Sequence, residues 1–278
     1  MADMTGPDEL LAEVLGRYEA APDPRLREVM QAAIRHLHAF VREVDLTRDE
    51  WMAGIQFLTA TGQMCSETRQ EFILMSDTLG VSTLVEMLNY SPTEGTTENT
   101  VLGPFYAPGS PERAKGESML DDEDAGDKVV VRGRITDPDG NPLAGVVLDC
   151  WQSNTDGFYT VQQIDGQSEF NLRGIYRTDD AGEYEIRTVR PGKYPIPPDG
   201  PVGARLKANN RGWMRPGHLH TWVKHPGYKE LITHIFDRKS DHLYDDAVFG
   251  VRESLIVDFI PDDAGELSAT FDFVLDPA

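Results

Sequence analysis

Two histidines one residue apart, His218-Leu219-His220 in RPGHLHTWV, are the side chains of this 278-residue sequence best spaced to act together. The segment reads as β-strand, and strand period two puts both imidazoles on one face with Leu219 on the other. Two neutral imidazoles converging from one strand make half of a metal site. His36 and His38 share the spacing. On a helix they diverge by about 200° and cannot chelate together, so they are assigned to the surface, with His225 and His242. The pair needs further donors. Cys65 and Cys150 lie elsewhere, and no carboxylate stands beside the strand to complete a facial triad. Tyr159 ends the turn-like WQSNTDGFY, and Tyr194 lies in PGKYPIPP, so each projects from a loop. From the residues alone each is open as a ligand, a hydrogen-bonding phenol or a packing ring.

The elements that hold these residues belong to two kinds of sequence. From Asn99 onward short β-rich runs alternate with Gly, Pro and Asp turns, as a sandwich or barrel requires. Strands are expected over 129–135, 146–151, 174–178, 183–187, 218–223 and 254–259, with a turn at 137–140. DDEDAGD at 121–127 reads as a solvated acidic loop and GKYPIPPDGPVG at 192–203 as a long stiffened one. Before residue 99 the chain reads as helices. Asp23 caps the clearest, Pro24 fills its first turn, and Leu26, Met30, Ala33, Leu37, Phe40 and Val44 form a narrow apolar seam. That seam suits another helix of this chain or of a second copy. Thr47 and Glu50 form a capping box, and a further helix runs from about Glu67 to Gly80, a C′ residue. The expected class is therefore α+β: a helical linker or dimerisation domain over 1–98, then a mainly β catalytic sandwich over 99–278.

Bulk composition removes several partners. With 47 acidic against 26 basic residues and a net charge of −21, the chain offers no basic footprint for nucleic acid or anionic lipid. Acids stand at the N-terminus where a secretory signal needs basic residues, no apolar run spans a bilayer, and two distant cysteines form no disulfide framework. A cytoplasmic protein without membrane insertion is expected.

WQSNTDGFYT (151–160), FNLRGIYRTD (170–179), PGKYPIPPDG (191–200) and RPGHLH (215–220), in this order and spacing, resemble the intradiol ring-cleaving dioxygenases. RQEFILMSDTLG (69–80) and TENTVLGPFY (97–106) resemble the helical linker domain of that family, so the likeness covers nearly the whole chain. It implies one iron(III) per subunit, held by Tyr159, Tyr194, His218 and His220, and O2 as co-substrate. It also implies that Tyr194 is both ligand and base, that Arg215 stabilises charge developing on the ring, and that the protein is a homodimer joined through its N-terminal helices, with lipid in an apolar tunnel there. Phenolate donors suit a ferric ion, and the metal would deprotonate both phenols well below their usual value near 10.

Several positions resemble the hydroxyquinol-cleaving branch: Leu74, Asp77, Val101, Leu102, Gly103, Pro104, Phe105, Ile196, Pro197, Pro198 and Val248 as pocket residues, and His234 behind the metal. Asp77 is the informative one, because an additional ring hydroxyl needs a buried hydrogen-bond partner. The implied reaction converts hydroxyquinol (1,2,4-trihydroxybenzene) to 3-hydroxy-cis,cis-muconate, the enol form of maleylacetate. Catechol or a substituted catechol, cleaved to a cis,cis-muconate, is the alternative substrate. A non-catalytic transthyretin-like module is the alternative of another class, since VRGRITDPDGNPLAGVVLDCW suits it too.

Overall fold

The computed structural model describes residues 6–67, 69–90, 93–162 and 166–278. Five helices come first: α1 (Pro7–Arg17), α2 (Pro24–Glu43), α3 (Arg48–Gln63), α4 (Glu71–Thr78) and α5 (Val81–Asn89). Local chemistry accounts for their ends. Asp23 accepts hydrogen bonds from the amides of Arg25 and Leu26 at 2.8 and 3.1 Å. Thr47 and Glu50 exchange backbone-to-side-chain bonds across the first turn of α3. Gly80, at φ 74°, closes α4 and opens α5, a left-handed conformation that a side chain would strain. The helix expected from Glu67 begins at Glu71 instead, because Ser66 and Arg69 bond each other's backbone and close a turn there.

The β region holds β1 (Lys128–Thr136), β2 (Val147–Gln152), β3 (Arg173–Arg177), β4 (Glu183–Val189), β5 (Tyr194–Pro195), β6 (Met214–Arg215), β7 (His218–Lys224), β8 (Leu231–Asp237), β9 (Ile256–Val257), β10 (Ile260–Pro261), β11 (Leu267–Thr270) and β12 (Phe273–Val274). One sheet runs β10-β11-β1-β12 with β4 on β1, a second β3-β2-β7-β8-β9, and β5 pairs with β6. Val129, Val131, Tyr184 and Ile186 of the first sheet meet Leu148, Cys150, Tyr176, Leu219, Val223 and Ile235 of the second in one buried core. The architecture is α+β, helices followed by a mainly β sandwich.

Three expectations change. The strand over 254–259 is a 3-10 turn, Glu253–Leu255, followed by the two residues of β9. The loop over 192–203 contains β5, and its end is helical: α6 (Pro201–Ala208) starts at a proline, with the buried Glu71 carboxylate accepting from the Val202 amide at 3.2 Å. Strand β8 was not among the expected strands. By internal contacts the chain divides between Thr59 and Ala60, so α4 and α5 fall in the unit that contains the sandwich; α4 packs on α6 there. Among the described residues, no helix is long and apolar enough to cross a membrane.

Candidate metal centre

Strand pairing writes a row across the second sheet. Arg173 of β3 lies opposite Trp151 of β2, Trp151 opposite His220 of β7, and His220 opposite His234 of β8. Directly opposed residues share a face, so these four stand together on the side turned away from the inter-sheet core. His218, two residues before His220, joins them, while Leu219 points into the core. All five polar and aromatic side chains are buried. Trp151 stacks on His220 with ring centroids 4.6 Å apart and planes 11° from parallel.

Four donor atoms meet over this row. His218 Nε2 and His220 Nε2 are 3.0 Å apart, and Tyr159 Oη is 3.2 Å from His220 Nε2. Tyr194 Oη bonds to Tyr159 and receives a hydrogen bond from Arg215 at 3.2 Å. His218 Nδ1 is 2.7 Å from the Pro216 carbonyl. A carbonyl only accepts, so that nitrogen carries the proton and Nε2 is left as a lone pair. Burial, then the Arg215 charge, pushes the His218 imidazole well below its ordinary value; burial, His218 and Arg215 do the same to His220. Both rings are neutral ligands at neutral pH. Burial raises both phenols, strongly for Tyr159, with Arg215 working in the opposite sense. A cation entering here must displace phenol protons. Two imidazole nitrogens and two phenol oxygens fit a hard cation such as iron.

His234 also comes within reach: one of its ring nitrogens lies within 4.8 Å of a ring nitrogen of His218 and of one of His220. Neither nitrogen makes a well-formed hydrogen bond, the Val101 backbone lending only a weak one. Burial and the two neighbouring imidazoles hold it neutral as well.

Arg215 is paired across the β5–β6 bridge with Tyr194. Its Nε is 3.0 Å and its Nη2 3.3 Å from the two oxygens of Asp246, both side chains being 3% exposed. Burial opposes the guanidinium charge, but the Asp246 carboxylate and the phenols outweigh it and raise its pKa. Arg215 Nη1 is thereby left to face Tyr194 and His218. Asp77, buried on α4, feels both Arg215 and Asp246; burial raises its carboxyl despite a hydrogen bond from Ser82.

A cavity of about 440 Å³ opens beside the donors and is lined by Leu74, Pro104, Phe105, Pro197 and Pro198, among others. Phe105 joins the two, lining the cavity and stacking on Tyr159 at 4.6 Å. Arg69 stands at the cavity with both its carboxylate partners, Glu71 and Asp199. Of the other residues singled out by sequence, Asp77, Val101, Ile196 and Val248 are buried and Leu102 is half-buried, none of them on that lining. Gly103 has φ 77°, a left-handed conformation that favours glycine, and a Cβ there would stand 3.4 Å from the His220 ring, in contact with it.

Sequence reasoning overlooked three residues of the site. Asp246 hides in an acidic pair that reads as surface. Trp151 stands within a quoted motif but shows its role only through strand register, and Arg173 likewise.

The sequence model of the family described as Dioxygenase matches residues 101–277, and that described as Catechol dioxygenase N terminus matches 23–97. The 6-chlorohydroxyquinol 1,2-dioxygenase of Cupriavidus pinatubonensis is 46% identical over 96% of this chain and 96% of its own. A catechol 1,2-dioxygenase of Candida albicans is 42% identical over 85% of this chain and 78% of its own. The solved hydroxyquinol 1,2-dioxygenase of Pseudomonas putida superposes with a TM-score of 0.91 at 44% identity, covering 98% of this chain and 99% of that one.

Proposed function

The chain belongs to the intradiol ring-cleaving dioxygenase family, and from that premise we propose that it opens hydroxyquinol with O2 to give 3-hydroxy-cis,cis-muconate. The observation that carries this reading is the convergence of Tyr159, Tyr194, His218 and His220 beside a ring-sized cavity that shares Phe105 with them. These four would hold one iron(III) per subunit, with His234 behind them. Bound iron(III) would supply Lewis acidity, easing loss of the protons from two adjacent ring hydroxyls so that the resulting oxyanions push electron density onto a ring carbon and make it nucleophilic towards O2.

The protein's own part is to hold protons and charge in place. Tyr194, as phenolate, accepts a ring-hydroxyl proton, and Arg215 stays within hydrogen-bond reach of its oxygen in either state. Arg215 also presents a fixed, carboxylate-anchored positive charge where negative charge gathers. Leu74, Pro104, Phe105, Pro197 and Pro198 give the ring apolar walls. Asp77 sits one turn beyond Leu74 on α4, its carboxyl shifted upward by burial, and so offers a hydrogen bond to the additional hydroxyl of hydroxyquinol. That residue favours hydroxyquinol over catechol.

Oxygen uptake by iron-loaded protein, with metal-stripped protein as control, tests the reading; the expected result is rapid uptake favouring hydroxyquinol. Faster uptake with catechol would overturn the ring assignment, and none with either would overturn the reaction. Asp77→Leu is expected to narrow the preference for hydroxyquinol about ten-fold, read as the ratio of kcat/KM on the two rings.

The functional boundary belongs at 98/99, in keeping with the two family matches. Leu26, Leu37 and Phe40 of α2 and its C-cap Val44 are exposed in the single chain, which supports a homodimer through the N-terminal helices with lipid between the copies. Sedimentation of the purified protein and mass analysis of its organic extract test both. Two free cysteines agree with the cytoplasm.

A further inference from the structure

Arg173 ends the row that begins at His234, and nothing in the proposed chemistry uses it. It is 4% exposed, and burial lowers its pKa, opposed first by the field of the nearby buried Asp149 carboxylate. A buried charge with no carboxylate hydrogen-bonded to it is costly, and it persists where strong acceptors are arranged around it. Arg173 Nη2 donates to the Phe105 carbonyl at 3.0 Å and Nη1 to the Ala107 carbonyl at 3.3 Å. Its Nε donates to Thr160 Oγ1 at 3.3 Å. Arg113 in turn donates to the Arg173 carbonyl at 2.9 Å.

The acceptors belong to two separate segments. Phe105 and Ala107 lie on the piece that forms the cavity wall, and Thr160 follows Tyr159 directly in the turn Thr160–Gln162. The fork of one planar side chain thus bridges the wall and the phenol-bearing turn. The two segments also meet through their rings, since Phe105 lies 4.6 Å from Tyr159 at 21°. Stacking fixes the distance between rings but lets them slide. Three hydrogen bonds to the backbone and hydroxyl of the same segments remove that freedom.

We infer that Arg173 is a positioning residue of the metal centre, clamping the Phe105–Ala107 wall to the Tyr159–Thr160 turn so that substrate ring and phenol oxygen keep one relative placement. This inference rests on the assignment of Tyr159 as an iron ligand. The guanidinium also brings a second positive charge near the phenol: burial favours the protonated form, and Arg215 and Arg173 both work towards the phenolate. Lysine would keep the charge, but as a single ammonium it cannot reproduce the fork.

The test compares wild type with Arg173→Met, Arg173→Lys and Thr160→Val, all loaded with iron. Three quantities are read: the chelator concentration that strips half the iron, the energy of the visible phenolate-to-iron band, and KM and kcat separately. Arg173→Met is expected to lose iron at about ten-fold lower chelator, in the range seen when an outer-shell partner of a ligand is removed, with a shifted band. Its KM should rise by more than kcat falls, because the wall moves with the ligand. Arg173→Lys should recover part of the chelator resistance but not the KM, and Thr160→Val should displace the band in the same direction by a smaller amount. If Arg173→Met fails to fold, the other two variants decide. Wild-type values of all three quantities in every folded variant would overturn the inference. A wild-type protein that holds iron but consumes no oxygen would remove the proposed reaction, yet the chelator and band measurements would still judge Arg173. A wild type that holds no iron would overturn both.

Discussion

The two faces of the sheet β3-β2-β7-β8-β9 are equally buried and built for opposite ends. Leu148, Cys150, Leu219, Val223 and Ile235 turn inward and fill the inter-sheet core. Arg173, Trp151, His218, His220 and His234 turn outward and are covered by the 101–107 segment and the loops bearing Tyr159 and Tyr194. The inner face satisfies itself, because apolar side chains ask only for close packing. On the outer face imidazoles crowd nitrogen to nitrogen, His220 Nδ1 has no hydrogen-bond partner, and two phenols sit where burial opposes their ionisation. Such an arrangement stays short of partners until something supplies charge, which is what distinguishes a binding site from a core of equal burial.

Substitutions on the two faces should therefore fail differently. The largest effect expected is on His220→Ala: oxygen uptake should fall to that of metal-stripped protein, by a factor of about a thousand or more when a metal ligand of the reacting centre is lost. Its iron-free stability should fall less than that of Leu219→Ala, because the lost ring was desolvated and incompletely bonded. A loss larger than that of Leu219→Ala in a denaturant titration would break the comparison. Next comes Asp246→Ala, which strands the buried Arg215 charge and should cost about 3–5 kcal/mol of stability, with activity falling as well. Leu219→Ala should cost about 2–5 kcal/mol through the cavity it leaves, while its folded fraction keeps an unaltered visible band.

The smallest effect sharpens the comparison through pH. His218, His220 and His234 are held well below the ordinary value of 6.5. Below pH 6.5 the unfolded chain binds protons that the folded chain refuses, so the iron-free protein is fully stable above that pH and weakens as pH falls. Each histidine contributes roughly 1.4 kcal/mol per pH unit. Calorimetric midpoints of iron-free protein between pH 7 and 5 should decline, and His234→Gln, which does not titrate, should flatten the slope by about a third. An unchanged slope would mean that His234 titrates like an exposed ring.

Legibility differed by residue. Helix ends were readable because caps are local: Asp23, the Thr47 and Glu50 pair and Gly80 act within one turn of where they stand. The pairing of His218 with His220 was readable for the same reason, since period two is a property of any strand. Strand β8 was missed although LITHIFD is rich in β-branched residues, and with it went the register that sets His234 opposite His220. Asp246, Trp151 and Arg173 were invisible as partners because their roles depend on residues 31, 69 and 68 positions away: Arg215, His220 and Phe105.

By itself the sequence determined the class of the fold, the strand carrying the two histidines and, through family resemblance, which tyrosines to watch. It did so because local periodicity, capping and turn chemistry act over a few residues, and because the motifs keep their order along the chain. Only the tertiary structure decided that Asp246 anchors Arg215, that Phe105 serves wall and ligand together, and that Arg173 bridges them. Those contacts exist only once strands from distant parts of the chain are in register, and burial then gives each unpaired polar atom a cost that its neighbours must meet.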